Sequence, residues 1–206
     1  GIFYALARIF LAVVKTSAIS RKTGSDEAIN KKIVRAANRS GLSLSDIKIA
    51  SDRYSPFCAG FLRPKILISN EFIQKLNTGE LTVVLLHEKQ HLKSFDVLKT
   101  LAVRFFCSLL FFSPAVRILA QKYHLSSELE ADFLASAGFR FNAPLLSVMG
   151  KIYENQRFFS QAPGIASAID LRLGFLLNLE DFPKISLTKN QIFSSLSPPQ
   201  WHSFLL

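Results

Sequence analysis

The feature that most constrains this chain is His87-Glu88-Lys89-Gln90-His91, set directly behind the apolar run Leu81–Leu86. On a helix, residues four apart share a face, so both imidazoles can reach one ion. Glu88, one step on from His87, can polarise a water without being a ligand itself. These residue types suit hydrolytic zinc chemistry: two neutral nitrogen ligands, and a carboxylate beside a water whose pKa the metal lowers to about 7. The pattern is short, and two histidines at helical spacing can equally be satisfied by carbonyls or solvent. The flanks favour a site. Asn77 with Glu80 three residues later forms a capping-box pattern, and the apolar run behind it predicts a buried helix. Histidines and a glutamate at the end of a buried helix are costly unless paired or bound to metal.

Two histidines leave at least one protein ligand to find. A metzincin would carry a third histidine six residues past His91, where this chain has Val97. The remaining candidates are His124 and Glu128, with His202 remote. Glu128 and Asp132 lie four apart on a predicted helix over 127–138, which pairs a ligand with a carboxylate able to orient a histidine. Glu128 is therefore preferred, and His124 is the alternative. Glu130 reads as a structural carboxylate capping back onto Ser127.

Composition bears on where such a site would sit. The chain of 206 residues is 49% hydrophobic with a mean hydropathy of +0.25, and it has nineteen phenylalanines. That is greasier than an ordinary soluble domain and suggests lipid contact. Gly1–Val14 is apolar except for Arg8 and too short to span alone, so residues 1–15 are expected to be part of a transmembrane helix. The net charge of +10 is concentrated after it, at Lys15, Arg21, Lys22, Lys31, Lys32, Arg35 and Arg39. This asymmetry places residues 16–96 on the cytoplasmic side, and the charge lacks the aromatic interleaving of a nucleic-acid binder. Residues 97–120 form a second apolar region, interrupted by Lys99, Arg104 and Arg117 and broken at Ser113-Pro114; it reads as membrane-embedded or membrane-dipping. Residues 183–206 read as a tail approaching the membrane. Cys58 and Cys107, with no CxxC, read as small apolar residues.

The pattern predicts an α+β fold, mostly helical with a small sheet. A helix is expected over 26–39 with Gly41 at its exit, a strand over 47–50, and a turn-rich piece over 55–60. A strand over 61–69 follows, confined by Pro64 to an edge or a strand start. A short helix over 71–76 precedes the histidine helix, and two more are expected over 145–159 and 165–179. An open strand edge beside the histidine helix can take a peptide by strand addition, which makes Gly60, Phe61, Leu62 and Lys65 candidate substrate-binding residues.

The order SPFCAGFLRPKILIS, GELTVVLLHEKQHLKSFD, FFSPAV, ELEAD resembles the integral-membrane zinc peptidases of the BlaR/MecR beta-lactam sensor-transducer type, over residues 26–140. The HtpX and CAAX-prenyl-protease type shares HExxH and ExxxD. The resemblance implies a gluzincin-like zinc peptidase domain over 16–182, associated with transmembrane helices. It further implies one Zn2+ per chain on His87, His91 and Glu128, with Glu88 as the base. Asp132 and Asp96 would then support the ligands, Asp96 in a structural role. It also implies a bacterial inner-membrane location with the peptidase site facing the cytoplasm. No penicillin-binding sensor domain is recognisable within these residues, so antibiotic sensing is not implied.

Three functions are in competition. The first is a membrane-bound zinc endopeptidase acting on a peptide or protein substrate, the proteolytic arm of a signalling protein. The second is a non-catalytic membrane receptor or scaffold that retains the fold, and the third is a basic protein bound to an anionic surface through Lys31–Arg39. The expected partners are the substrate and a lipid bilayer, with a homodimer as one assembly and no nucleic acid. For the oxyanion, Tyr123, Arg140 and Arg172 are the available helpers, each with a structural role as the plainer reading.

Overall fold

A computed structural model describes residues 27–50, 56–60, 63–139, 142–157 and 171–177. Helix α1 (Glu27–Ser40) leads to a three-residue 3-10 turn and strand β1 (Ile47–Ala50), followed by β2 (Phe57–Ala59) and β3 (Lys65–Ser69). Helices α2 (Asn70–Lys75), α3 (Thr78–Lys93), α4 (Asp96–Leu109), α5 (Pro114–Ser136) and α6 (Ala143–Arg157) complete the order, with residues 171–176 also helical. The expected partial span over 1–15 and the tail over 183–206 lie outside the described residues.

Helix α3 is the hub, packing against α1, α4, α5, α6 and the sheet. Its sequence explains the role. Leu81, Val83, Val84 and Leu85 are all buried, so no side of its first two turns is free for solvent. Burying Leu81 or Leu85 contributes about 2 kcal/mol each. The cap forms as expected: Glu80 N–H donates to Asn77 Oδ1 at 2.9 Å, and Asn77 N–H donates to Glu80 Oε2 at 2.7 Å. The Glu80 carboxylate also receives Lys151 Nζ at 2.7 and 2.8 Å and Ser147 Oγ at 2.6 Å, which ties the start of α3 to α6.

Two lysines close other helix ends. Lys89 Nζ donates to the carbonyls of Ser40 and Gly41 where α1 stops, at 2.5 and 3.1 Å. Lys32 Nζ donates to the carbonyls of Ile73 and Leu76 at the end of α2. Both place a cation on the negative end of a helix. Gly41, at φ +64°, supplies the left-handed exit that the sequence called for.

The sheet order is β1-β3-β2, parallel between β1 and β3 and antiparallel between β2 and β3. Of the two places the sequence allowed at Pro64, the strand start is the one found. The open edge expected of this strand is not, because β3 is the central strand, buried from Ile66 to Ser69. The edge nearest α3 is β2, which sequence alone read as turn because it has three residues and follows Ser55-Pro56.

The apolar region 97–120 breaks as expected, with α4 ending at Leu109 and α5 starting at Pro114. Unlike the reading that started a new helix at Ser127, α5 runs unbroken to Ser136. Ser127 therefore lies mid-helix and is not capped by Glu130. None of the described helices is long and apolar enough to cross a membrane. Leu98, Phe105, Phe106, Phe111, Phe112 and Leu119 nevertheless point outward from this hairpin.

Candidate metal centre

His87 and His91 stand one turn apart on α3, with ring centroids 4.7 Å apart and planes crossed at 78°. Their Nε2 atoms are 3.1 Å apart. Glu128, on the facing side of α5, brings Oε1 to 3.4 Å from His91 Nε2 and Oε2 to 3.6 Å from His87 Nε2. A tetrahedral zinc with bonds of about 2.0–2.1 Å separates its ligand atoms by about 3.3–3.4 Å. The Nε2–Nε2 distance and the closest approach of the carboxylate to each imidazole, through a different oxygen in each case, bracket that value, so the donor set fits such an ion. Among the described residues, these three form the one group of His, Cys, Asp and Glu side chains close enough to share a cation.

The other nitrogens fix the direction of the lone pairs. His91 Nδ1 is 2.7 Å from Asp96 Oδ2. An ionised carboxylate only accepts, so Nδ1 carries the proton and Nε2 presents its lone pair to the site. Asp96 is held in turn by Ser127 Oγ at 2.8 Å and, more weakly, by Tyr123 OH at 3.5 Å. The chain reaches this arrangement through a sharp bend: Phe95, at φ 54°, adopts a left-handed conformation that costs a bulky residue energy, and it turns Asp96 back toward His91.

His87 Nδ1 lies 2.9 Å from Oδ1 of Asp132, off the line of its N–H, so the approach is a charge contact more than a formed hydrogen bond. Asp132 is fully buried and takes a two-pronged bond from Arg172, at 2.7 Å from Nε and 2.8 Å from Nη2. Arg172 Nη1 also sits 3.0 Å from Glu128 Oε2. Burial disfavours a charged His87, but Asp132 and Glu128 outweigh it and raise its pKa to about 10. Burial likewise pushes Glu128 up, and His87 and Arg172 overcome this to hold it down at about 2. The field that draws a proton to His87 is a field that draws a metal cation.

Glu88 is buried beside the triad. Cys58, on β2, places Sγ 3.3 Å from both the Glu88 main-chain oxygen and its Oε2. Burial, followed by the Glu88 charge, pushes the Cys58 thiol well above its usual range, so it remains an S–H donor to that carboxylate. A cavity of about 490 Å³ opens over the centre. The residues of β2 form one wall, Val97, Leu101 and Arg104 of α4 another, and Val148, Met149 and Ile152 of α6 a third.

The family model for BlaR1 peptidase M56 matches residues 2–138, more than half of the chain. The chain belongs to the BlaR1 peptidase M56 family. The match takes in α3, α4 and the Glu128–Asp132 pair of this M56 chain and ends before α6 and Arg172. Comparison with curated proteins gives no match.

In the M56 chain, His87, Glu88, His91, Glu128, Asp132 and Asp96 come together at one centre. His124 lines the cavity beside the Tyr123 ring and stands outside the triad. Gly60 is in the cavity wall at φ +108°, and a Cβ there would sit 3.1 Å from the Arg63 carbonyl oxygen. Lys65 is in the central strand with Nζ 3.2 Å from Asp46, away from the cavity wall. Phe61, Leu62 and Arg140 lie outside the described residues. Sequence reasoning undervalued two residues. Cys58 looked like an apolar filler. Arg172 did leave a signal, as a lone cation between Leu171 and Leu173, since a buried arginine needs an anionic partner.

Proposed function

We propose that this M56 chain is a membrane-associated zinc endopeptidase, binding one zinc per chain and cleaving a peptide or protein substrate as the proteolytic arm of a signalling protein. The observation that carries the reading is the pair of Nε2 atoms 3.1 Å apart with the Glu128 carboxylate against both, Oε1 at 3.4 Å from His91 Nε2 and Oε2 at 3.6 Å from His87 Nε2. Bound there, zinc would act as a Lewis acid that polarises a carbonyl and acidifies water. His87, His91 and Glu128 would hold it, leaving a position open for reactants.

Glu88 serves as the proton carrier: its carboxylate takes a proton from the attacking water and returns it to the leaving amine. Cys58 S–H steadies one oxygen of that carboxylate. Asp96 and Asp132 keep the imidazole lone pairs aimed inward. The substrate backbone pairs with the outer edge of β2, which carries no strand partner on that side among the described residues. Gly60 allows the backbone to curl at the end of that edge.

The outward phenylalanines of the α4–α5 hairpin, flanked by exposed Lys99, Arg104 and Arg117, support a membrane-dipping role for residues 97–120. With the basic residues after the first apolar segment, they support an inner-membrane location and a cytoplasmic site.

The test is Glu88→Gln, which keeps size and removes the base. Zinc content should stay near one per chain while cleavage of a peptide panel falls by about a hundredfold or more. A variant that loses zinc, or one that cleaves as well as wild type, refutes the role given to Glu88. A wild type that holds zinc tightly and cleaves nothing points to the scaffold.

A further inference from the structure

Arg172 holds three carboxylate oxygens at once. Nε and Nη2 grip both oxygens of Asp132 at 2.7 and 2.8 Å, and Nη1 reaches Glu128 Oε2 at 3.0 Å. Its side chain is 20% exposed and that of Asp132 is 0% exposed, so these are mostly desolvated contacts. The arrangement uses the planar fork of arginine; a lysine, being a point charge on a flexible stem, cannot hold three oxygens in that geometry. The contact to Glu128 is selective. It occupies Oε2 and leaves Oε1, the oxygen nearer His91 Nε2, without that claim.

We propose that Arg172 is a positioning residue that makes Glu128 a one-oxygen ligand, keeping the centre at three protein ligands with an open position, and that the helical segment carrying it belongs to the active unit. The inference rests on the zinc reading above. Without the guanidinium, Glu128 is free to turn both oxygens to the ion, filling the position that reactants need. Asp132 also loses the two bonds that fix it against His87. Since the family match ends at residue 138, the determinant lies outside the matched segment.

The experiment uses cobalt(II) in place of zinc, because its visible absorption is strong when four-coordinate and weakens as coordination number rises. The full chain would be compared as wild type, Arg172→Met and Arg172→Lys, with circular dichroism as the folding control and His87→Ala to identify bands that belong to the centre. The expected result for Arg172→Met is a weaker, shifted band and cobalt affinity lowered about 10- to 100-fold. Arg172→Lys keeps the charge and loses the fork, so its band should shift in the same direction with a smaller loss of affinity. If the methionine variant fails to fold, the lysine variant decides. A wild-type band in a folded Arg172→Lys overturns this inference alone. A wild type with no band that depends on His87 overturns the zinc reading and this inference with it.

Discussion

The support that Asp96 gives His91 can be measured by grading its removal. Asp96 accepts from His91 Nδ1 at 2.7 Å and from Ser127 Oγ at 2.8 Å, and its side chain is only 14% exposed. A hydrogen bond to a charged group contributes about 1.5–3 kcal/mol, against about 1 kcal/mol for a neutral pair. Asp96→Asn keeps an oxygen in place and loses the charge, a difference of about 1 kcal/mol, or roughly fivefold in zinc affinity. Asp96→Ala removes the acceptor, freeing the ring to rotate and to carry its proton on Nε2; loss of such a partner lowers affinity about 10- to 100-fold. Competition with a calibrated chelator at fixed pH reads both numbers. The order wild type, Asn, Ala is the decisive point. An alanine variant that binds zinc within about twofold of wild type would show that the ring is held by packing alone, and the reasoning would fail.

Two further perturbations address the scaffold. Lys151→Met strands the buried Glu80 carboxylate and should cost about 3 kcal/mol, at the low end for a broken buried pair because Lys151 is one-third exposed; urea unfolding checks it, and a loss under about 0.5 kcal/mol refutes it. Burial pushes the Glu80 carboxyl up, but Lys151, Ser147 and the Asn77 backbone outweigh that and hold it below its usual value of 4.5. The stability it contributes is therefore present above that value and lost as pH falls through the lower folded value, and Lys151→Met should flatten this acid limb. Gly60→Ala meets both a left-handed φ and the Arg63 carbonyl, so peptide KM should rise several-fold while zinc content stays constant; an unchanged KM separates Gly60 from substrate binding.

Local chemistry made much of the centre legible. The α3 cap, its buried run, both histidines and the Glu128–Asp132 pair are set by spacing along single helices, and a helix repeats its geometry every turn. The strand roles were harder to read. A three-residue strand such as β2 carries too few alternating positions to show a period, and its place at the edge depends on β3 pairing with both neighbours. Cys58 and Arg172 were harder still, because their partners lie 30 and 40 residues away in sequence. The continuity of α5 also escaped the reading, because Ser126-Ser127 resembles a cap when the apolar packing on either side is unknown.

One helix joins the scaffold to the chemistry, and this bears on how well the centre is preorganised. The first turn of α3 is fixed to α6 through Glu80 and Lys151. Its middle is fixed by apolar burial, and Lys89, between the two histidines, closes the end of α1. A rotation of α3 that moved His87 or His91 would therefore break a buried ion pair and a helix closure together. The second half of the site is anchored differently, through Asp132 and Arg172, and α5 meets α3 by packing, charge and one long hydrogen bond from Gln90 to Glu130 at 3.4 Å. Changes in the geometry of the centre are accordingly expected to come from the α5 and Arg172 side, where they cost the fold least.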